Sequence, residues 1–212
     1  MKRFLIPAAV AVTAAAAPAV SSAATVATDL PCYLPGQTVT FGGAQFVPGA
    51  PFSVSGTGVF GSGTVDAAGN ATATTSAPTL ALKRRSAKTV AFQATDGTNT
   101  IPGAFKVVNG GAQWDGSGNP RGTVKWAFGG LTPGQPIYVH VRRGSKTIKT
   151  TRAGKAGGVC GTATKRLKRL PVASSQVRNG SYKVFVDSRK KFSRGGLQYG
   201  YSYRVFTTYR PG

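Results

Sequence analysis

Short stretches in which apolar and polar residues alternate recur along the whole chain, each closed by glycine, proline, asparagine or aspartate. That period-2 pattern predicts half-buried strands. In the first half it predicts strands over 37–41, 52–55, 58–65, 70–76, 89–95 and 104–108. In the second half the strands fall at 123–128, 136–143, 146–152, 181–187 and 200–209. Pro48-Gly49, Ala68-Gly69-Asn70 and Asp96-Gly97 sit between them and suit tight turns. Residues 160–180 read least clearly; Ala163 to Leu170 fits one helical turn or a basic loop stopped by Pro171.

The pattern repeats. A shift of 85 residues lays 35–54 over 120–139, so that Pro35, Thr38, Val39, Pro48, Gly49, Pro51 and Val54 meet Pro120, Thr123, Val124, Pro133, Gly134, Pro136 and Val139. Phe41 over Trp126, Phe46 over Leu131 and Phe52 over Ile137 keep apolar type. A repeat this long predicts two copies of one small β domain, at 30–108 and 112–211, joined through Asn109-Gly110-Gly111 and a loose segment at 115–120. Abundant glycine and proline and the absence of glutamate agree with an all-β chain.

The pattern Cys32-Tyr33-x-Pro35-Gly36-Gln37-x-Val39-x-Phe41, followed by Phe46-x-Pro48-Gly49-x-Pro51-x-x-Val54, resembles the tandem immunoglobulin-like repeats of exported proteins from high-GC Gram-positive bacteria. Ala67-Ala68-Gly69-Asn70-Ala71 and Ala94-Thr95-Asp96-Gly97-Thr98-Asn99 look like the later hairpin and penultimate strand of such repeats. The resemblance covers 32–108 well and 120–143 moderately, and fades beyond Gly144. It implies two immunoglobulin-like β-sandwiches with a structural or adhesive role and carries no catalytic residues.

The first 24 residues read as a signal peptide: Lys2 and Arg3, an apolar run from Phe4 to about Val20, and small residues ending at Ala23 or Ala24. Pro7, Pro18 and the ~17-residue run argue against a permanent span, which needs roughly 20 apolar residues. The expectation is an exported protein, released or held to the cell envelope without a covalent anchor. Export and an even cysteine count favour a bond between Cys32 and Cys160; two free thiols or an intermolecular bridge are the alternatives.

Charge divides unevenly. Residues 25–110 carry five basic and three acidic residues, whereas 111–212 carry twenty basic and two acidic ones. The cations gather at Arg142 and Arg143, Lys146 to Lys155, Lys165, Arg166, Lys168 and Arg169, then Arg189, Lys190 and Lys191. Summed like charge of this kind points to a polyanion-binding surface, an anionic envelope polymer or polysaccharide before nucleic acid, since no nucleic-acid motif accompanies it.

Catalysis is not expected. Five scattered aspartates and one histidine, His140, leave little for acid–base chemistry or a metal set, and no cofactor is implied. His140 reads as an outward-facing strand residue, alternating with Ile137, Val139 and Val141. Two other readings remain open: a carbohydrate-binding module that stacks sugars on Tyr138, Phe185, Tyr201, Tyr203 or Phe206, and an accessory module for a protein partner.

Overall fold

The computed structural model describes residues 23–81, 86–194 and 199–206. The first half forms β1 (Thr25–Thr28), β2 (Cys32–Tyr33), β3 (Thr38–Ala44), β4 (Pro51–Gly56), β5 (Val59–Thr64), β6 (Ala71–Ser76), β7 (Ala87–Thr95) and β8 (Thr100–Val108). The second half forms β9 (Gly111–Gln113), β10 (Thr123–Gly129), β11 (Pro136–Arg143), β12 (Lys146–Lys155), β13 (Ala163–Lys168), β14 (Gly180–Asp187) and β15 (Tyr199–Val205). One 3-10 turn, Ser174–Gln176, interrupts the strands. The signal-peptide expectation falls almost wholly on residues 1–22 and the end of the last predicted strand on 207–209, outside the described residues.

Two sandwiches result, each with its own hydrophobic core. In the first, β1-β3-β6 faces β2-β8-β7-β4-β5; in the second, β9-β10-β13 faces β12-β11-β14-β15. The two orders match strand for strand except that, among the described residues, the second has no counterpart of β2, which pairs parallel with β8. This is immunoglobulin-like topology, with strands alternating inward apolar residues and outward polar ones. Phe41 packs edge-on against Phe92 at 4.8 Å, while its counterpart Trp126 lies 6.0 Å from Phe128 and 4.0 Å from Trp114, stacked on the latter. In β14 the Tyr182 hydroxyl donates to Arg178 O (2.8 Å) and accepts from Arg178 N (2.9 Å), the tyrosine corner that pins the turn into this strand.

The 85-residue repeat is visible in hydrogen bonds. Gly49 N donates to Val65 O (3.0 Å) and Val65 N returns to Ala50 O (3.0 Å); Gly134 N donates to Ala156 O (2.8 Å) and Ala156 N returns to Gln135 O (2.9 Å). The turns need a positive φ at their glycines, 75° at Gly49 and 79° at Gly134, which a side chain would disfavour. Val54 and Val139 occupy the same inward place, both buried.

Cys32 and Cys160 are bonded, with α-carbons 5.3 Å apart. The bond ties the entry of the first sandwich to the loop between β12 and β13 of the second. Closing 128 residues restricts the unfolded chain by roughly 4–5 kcal/mol in the loop-entropy account.

Two expectations are overturned. Ala163 to Leu170 is neither helical turn nor loop: residues 163–168 pair with β10 from Thr123↔Lys168 to Phe128↔Ala163. The joining segment is shorter than expected, because β9 starts at Gly111 and pairs with β10.

Candidate functional site: a cationic mouth between two edge strands

β12 and β13 are the edge strands of the two sheets of the second sandwich and meet along one side of it. Their sequences, KTIKTTRAGK and ATKRLK, carry four and three cations and no acid. The corresponding strands of the first sandwich, VFGSGT in β5 and ATATTS in β6, carry no charge.

The pairing registers match the positions one for one. Gly56 pairs with Val59 and Val54 with Gly61, whereas Val141 pairs with Lys149 and Val139 with Thr151. Lys149 therefore stands where the first sandwich has fully buried Val59. On the other sheet, Phe41 pairs with Ala73, Thr40 with Thr74 and Thr38 with Ser76. Trp126 pairs with Lys165, Lys125 with Arg166 and Thr123 with Lys168.

Two local features decide whether this side of the sandwich closes. In β5 the inward positions after Val59 are glycines. A Cβ on Gly61 would meet Thr74 O at 3.1 Å and one on Gly63 would meet Thr72 O at 2.3 Å, so the strands approach as closely as backbones allow. In β12 the register slips twice, between Ile137 and Tyr138 and between Val141 and Arg142. Each slip is a β-bulge, which shifts the phase of the side chains by one and re-aims them. The slip before Lys149 turns that side chain toward β13 instead of the outer face. The strands stand apart, and a groove of about 460 Å³ opens, lined by Lys149, Thr151, Thr123, Arg166 and Lys168 over Leu167, Pro171 and Val172.

The sequence-predicted cations divide among several places. Lys165 and Arg166 are exposed on β13. Lys168 lines the groove and reaches Ser174 Oγ at 3.1 Å. Arg169 is occupied: its guanidinium donates to Asp115 O (3.2 Å), Asn119 O (3.2 Å) and Asp115 Oδ2 (3.1 Å), which fastens the loop after β9. Asp115 is held down to about 2 by the Ser117 hydroxyl first and by Arg169 next. Arg142 lies 4.3 Å over the Phe192 ring and donates to Ser145 O. Arg143 donates to Asn179 O at 3.0 Å. Arg189, Lys190 and Lys191 are exposed on the loop after β14, away from the mouth. Lys149 completes the groove.

His140 is the clearest correction. Instead of facing solvent it is 0% exposed. Its Nδ1 bonds to Thr150 Oγ1 at 2.9 Å and its Nε2 to Asp187 Oδ1 at 3.1 Å. Strand alternation does put it on the outer face, but Phe192 from the loop after β14 lies over that face, 5.7 Å from the His140 ring and 5.0 Å from Phe185. A Thr–His–Asp line has the connectivity of a nucleophile, base and orienting acid. Here His140 and Asp187 are buried and Thr150 is half-buried, and the line gives both His140 ring nitrogens a partner.

The stacking candidates are mostly spent on packing. Tyr203 is buried, Tyr201 receives the Ala112 N–H and packs against Trp114, and Phe185 lies under Phe192. Tyr138 is half-buried beside His140. Phe206 is 72% exposed. Among the described residues no group of three or more His, Cys, Asp or Glu could hold a metal ion. No helix there is long and apolar enough to cross a membrane.

No family model matches the chain, and no curated protein matches it. Solved structures do. A Ca2+-stabilized adhesin that helps an Antarctic bacterium reach out and bind ice is 15% identical at a TM-score of 0.29, over 86% of this chain and 48% of the other. The ICAM-5 D1-D4 ectodomain fragment is 11% identical at 0.38, over 85% and 49%. A Salmonella alpha-2-macroglobulin is 13% identical at 0.32, over 89% and 15%. The chain thus spans about half or less of the length of these structures, and the fold rests on the strand pairing described above.

Proposed function

We propose that this chain is an exported, non-catalytic binding module whose second sandwich adheres to an anionic envelope polymer along the mouth between β12 and β13. The observation that carries the reading is positional. Positions held in the first sandwich by the buried Val59 and Ala73 and by the exposed, uncharged Thr74 and Ser76 are taken in the second by Lys149, Lys165, Arg166 and Lys168. Lysines on edge strands also keep sheets from pairing with other chains. That role asks for neither a groove nor a bulge that turns one of them into it.

Flexible ammonium groups along two strands suit a repeating anion better than a single shaped ligand, because each contact is a point charge with little directional demand. The Thr123 hydroxyl adds a neutral donor and acceptor to the groove, while that of Thr151 donates to Pro171 O at 3.2 Å. Export agrees with the disulfide, which persists in oxidising compartments. Mature protein sedimented with isolated cell envelope tests the reading. Replacing Lys149, Arg166 and Lys168 by Gln is expected to weaken binding about tenfold or more at low salt. Equal binding by the variant and the parent protein overturns the assignment of the mouth.

A further inference from the structure

The second sandwich has another open site, at the end opposite Cys160. There β10 begins and β15 finishes, and a cleft of about 280 Å³ is lined by Arg121, Arg178, Asn119, Asn179, Val205 and Phe206. Its chemistry differs from that of the mouth. The mouth is mainly lysine and threonine, whereas the cleft joins two arginines to an exposed aromatic ring.

Each part is held in place. The turn that carries Arg178 is fixed by the Tyr182 hydroxyl, and the neighbouring Asn179 carbonyl by Arg143. Arg121 is placed through its own N–H, which donates to Asn119 Oδ1 at 2.9 Å, while Asn119 O receives Arg169. The Arg121 and Arg178 side chains are exposed. Phe206 projects at 72% exposure with Arg204 against one face, its guanidinium carbon 5.8 Å from the ring centre. An exposed aromatic ring beside exposed guanidinium groups offers a stacking face next to cations.

We propose that this cleft binds a saccharide bearing a carboxylate or phosphate group, with the sugar ring on Phe206 and the anion between Arg121 and Arg178. A free anion would use the arginines and leave the ring idle. A neutral sugar would use the ring and leave two cations unpaired. A guanidinium fork meets a carboxylate or a phosphate with two parallel hydrogen bonds, a geometry that lysine does not offer. The asparagine amides suit ring hydroxyls. The site is independent of the mouth: it shares none of its cations, and it recognises one residue of a chain rather than a run of charge.

Calorimetric titration of the full mature protein tests this with four probes: tetragalacturonate, glucose 6-phosphate, chitotetraose and inorganic phosphate. One or both acidic sugars are expected to bind, the tighter one naming the anion, and chitotetraose and inorganic phosphate at least about tenfold more weakly. Phe206→Ala is expected to weaken the acidic sugar about five- to tenfold, in the range of one aromatic contact, without changing the response to inorganic phosphate. Arg121→Gln with Arg178→Gln is expected to abolish measurable binding. Lys149→Gln with Arg166→Gln and Lys168→Gln is expected to leave it within about twofold, so that failure of the mouth and failure of the cleft are told apart. Because Phe206 is exposed, its replacement leaves the core intact, and an unchanged thermal transition checks that. Inorganic phosphate or chitotetraose binding as tightly as the acidic sugars, or Phe206→Ala binding within about twofold of the parent, overturns the proposal.

Discussion

The two sandwiches are the same sequence of strands finished in two ways. In the first, the β5–β6 side is shut by Val59 and two glycines, and the outer face of β4 and β5 is left bare, with Phe60 73% exposed. In the second, the corresponding side is held open by bulges and lined with cations, while the outer face is roofed by Phe192 over His140. Inward residues of like apolar type in the two halves fix the fold, and the differences that set the two apart lie at edges and faces. An immunoglobulin-like sandwich can therefore acquire a cation-lined groove by a register slip in one edge strand, without a new loop.

The most damaging test of this contrast is a side chain where the first sandwich has none. Gly63→Ala places a Cβ 2.3 Å from Thr72 O, a backbone atom that cannot swing aside. Overpacking of this kind is expected to cost about 3 kcal/mol, read from denaturant unfolding. Thr151→Ala, at the place of Gly61 in the open sandwich, is expected to cost less than about 1 kcal/mol. Equal costs would mean that the two sides are packed alike.

The roofed and bare faces are compared next. His140→Ala leaves the buried Asp187 carboxylate with only the Arg189 N–H, at an expected cost of about 2–3 kcal/mol. Phe192→Ala should cost roughly 1–2 kcal/mol through the contacts it makes with His140 and Phe185. Phe60→Ala, on the bare face, should stay within about 0.5 kcal/mol. Chemical denaturation of the three variants checks the order.

A smaller effect concerns acid. The Asp115 carboxyl is held down to about 2, so the folded protein favours its charged form. A group depressed in this way contributes stability that is present above its ordinary value of 3.8 and is lost as pH falls through about 2. Thermal transitions of Asp115→Asn and the parent protein are expected to differ at pH 6 and to converge between pH 4 and pH 2. A difference that persists unchanged at pH 2 would place the anchoring of this loop elsewhere.

Much of this was legible in the sequence, for identifiable reasons. The repeat shows because Phe41 and Trp126, Phe46 and Leu131, and Phe52 and Ile137 occupy equivalent inward places that only large apolar residues fill. The disulfide was readable from parity and compartment. β13 was not, because an edge strand with Lys165, Arg166 and Lys168 on it lets long side chains reach solvent from either face, which erases the alternation that marks a strand. β1 and β9 are short and gain their identity from pairing with β3 and β10. His140 was placed on the correct face but not in its true surroundings, since its cover comes from a loop 52 residues later in the chain, at Phe192. The mouth was hidden for a related reason. The clustering of cations is in the sequence, but the bulge that turns Lys149 among them is a property of pairing between β11 and β12.

One graft tests the central claim most directly. Lys149→Val, Lys165→Ala, Arg166→Thr and Lys168→Ser together replace the cations of the mouth by the residues that stand at their places in the first sandwich. Binding of the parent protein to isolated envelope should fall steeply with added salt, as exposed charges are screened beyond ~10 Å at 0.1 M and ~3 Å at 1 M. The grafted protein should bind far more weakly at low salt and show a much shallower salt dependence. A graft that folds and binds with the parent's affinity and salt dependence would contradict the account.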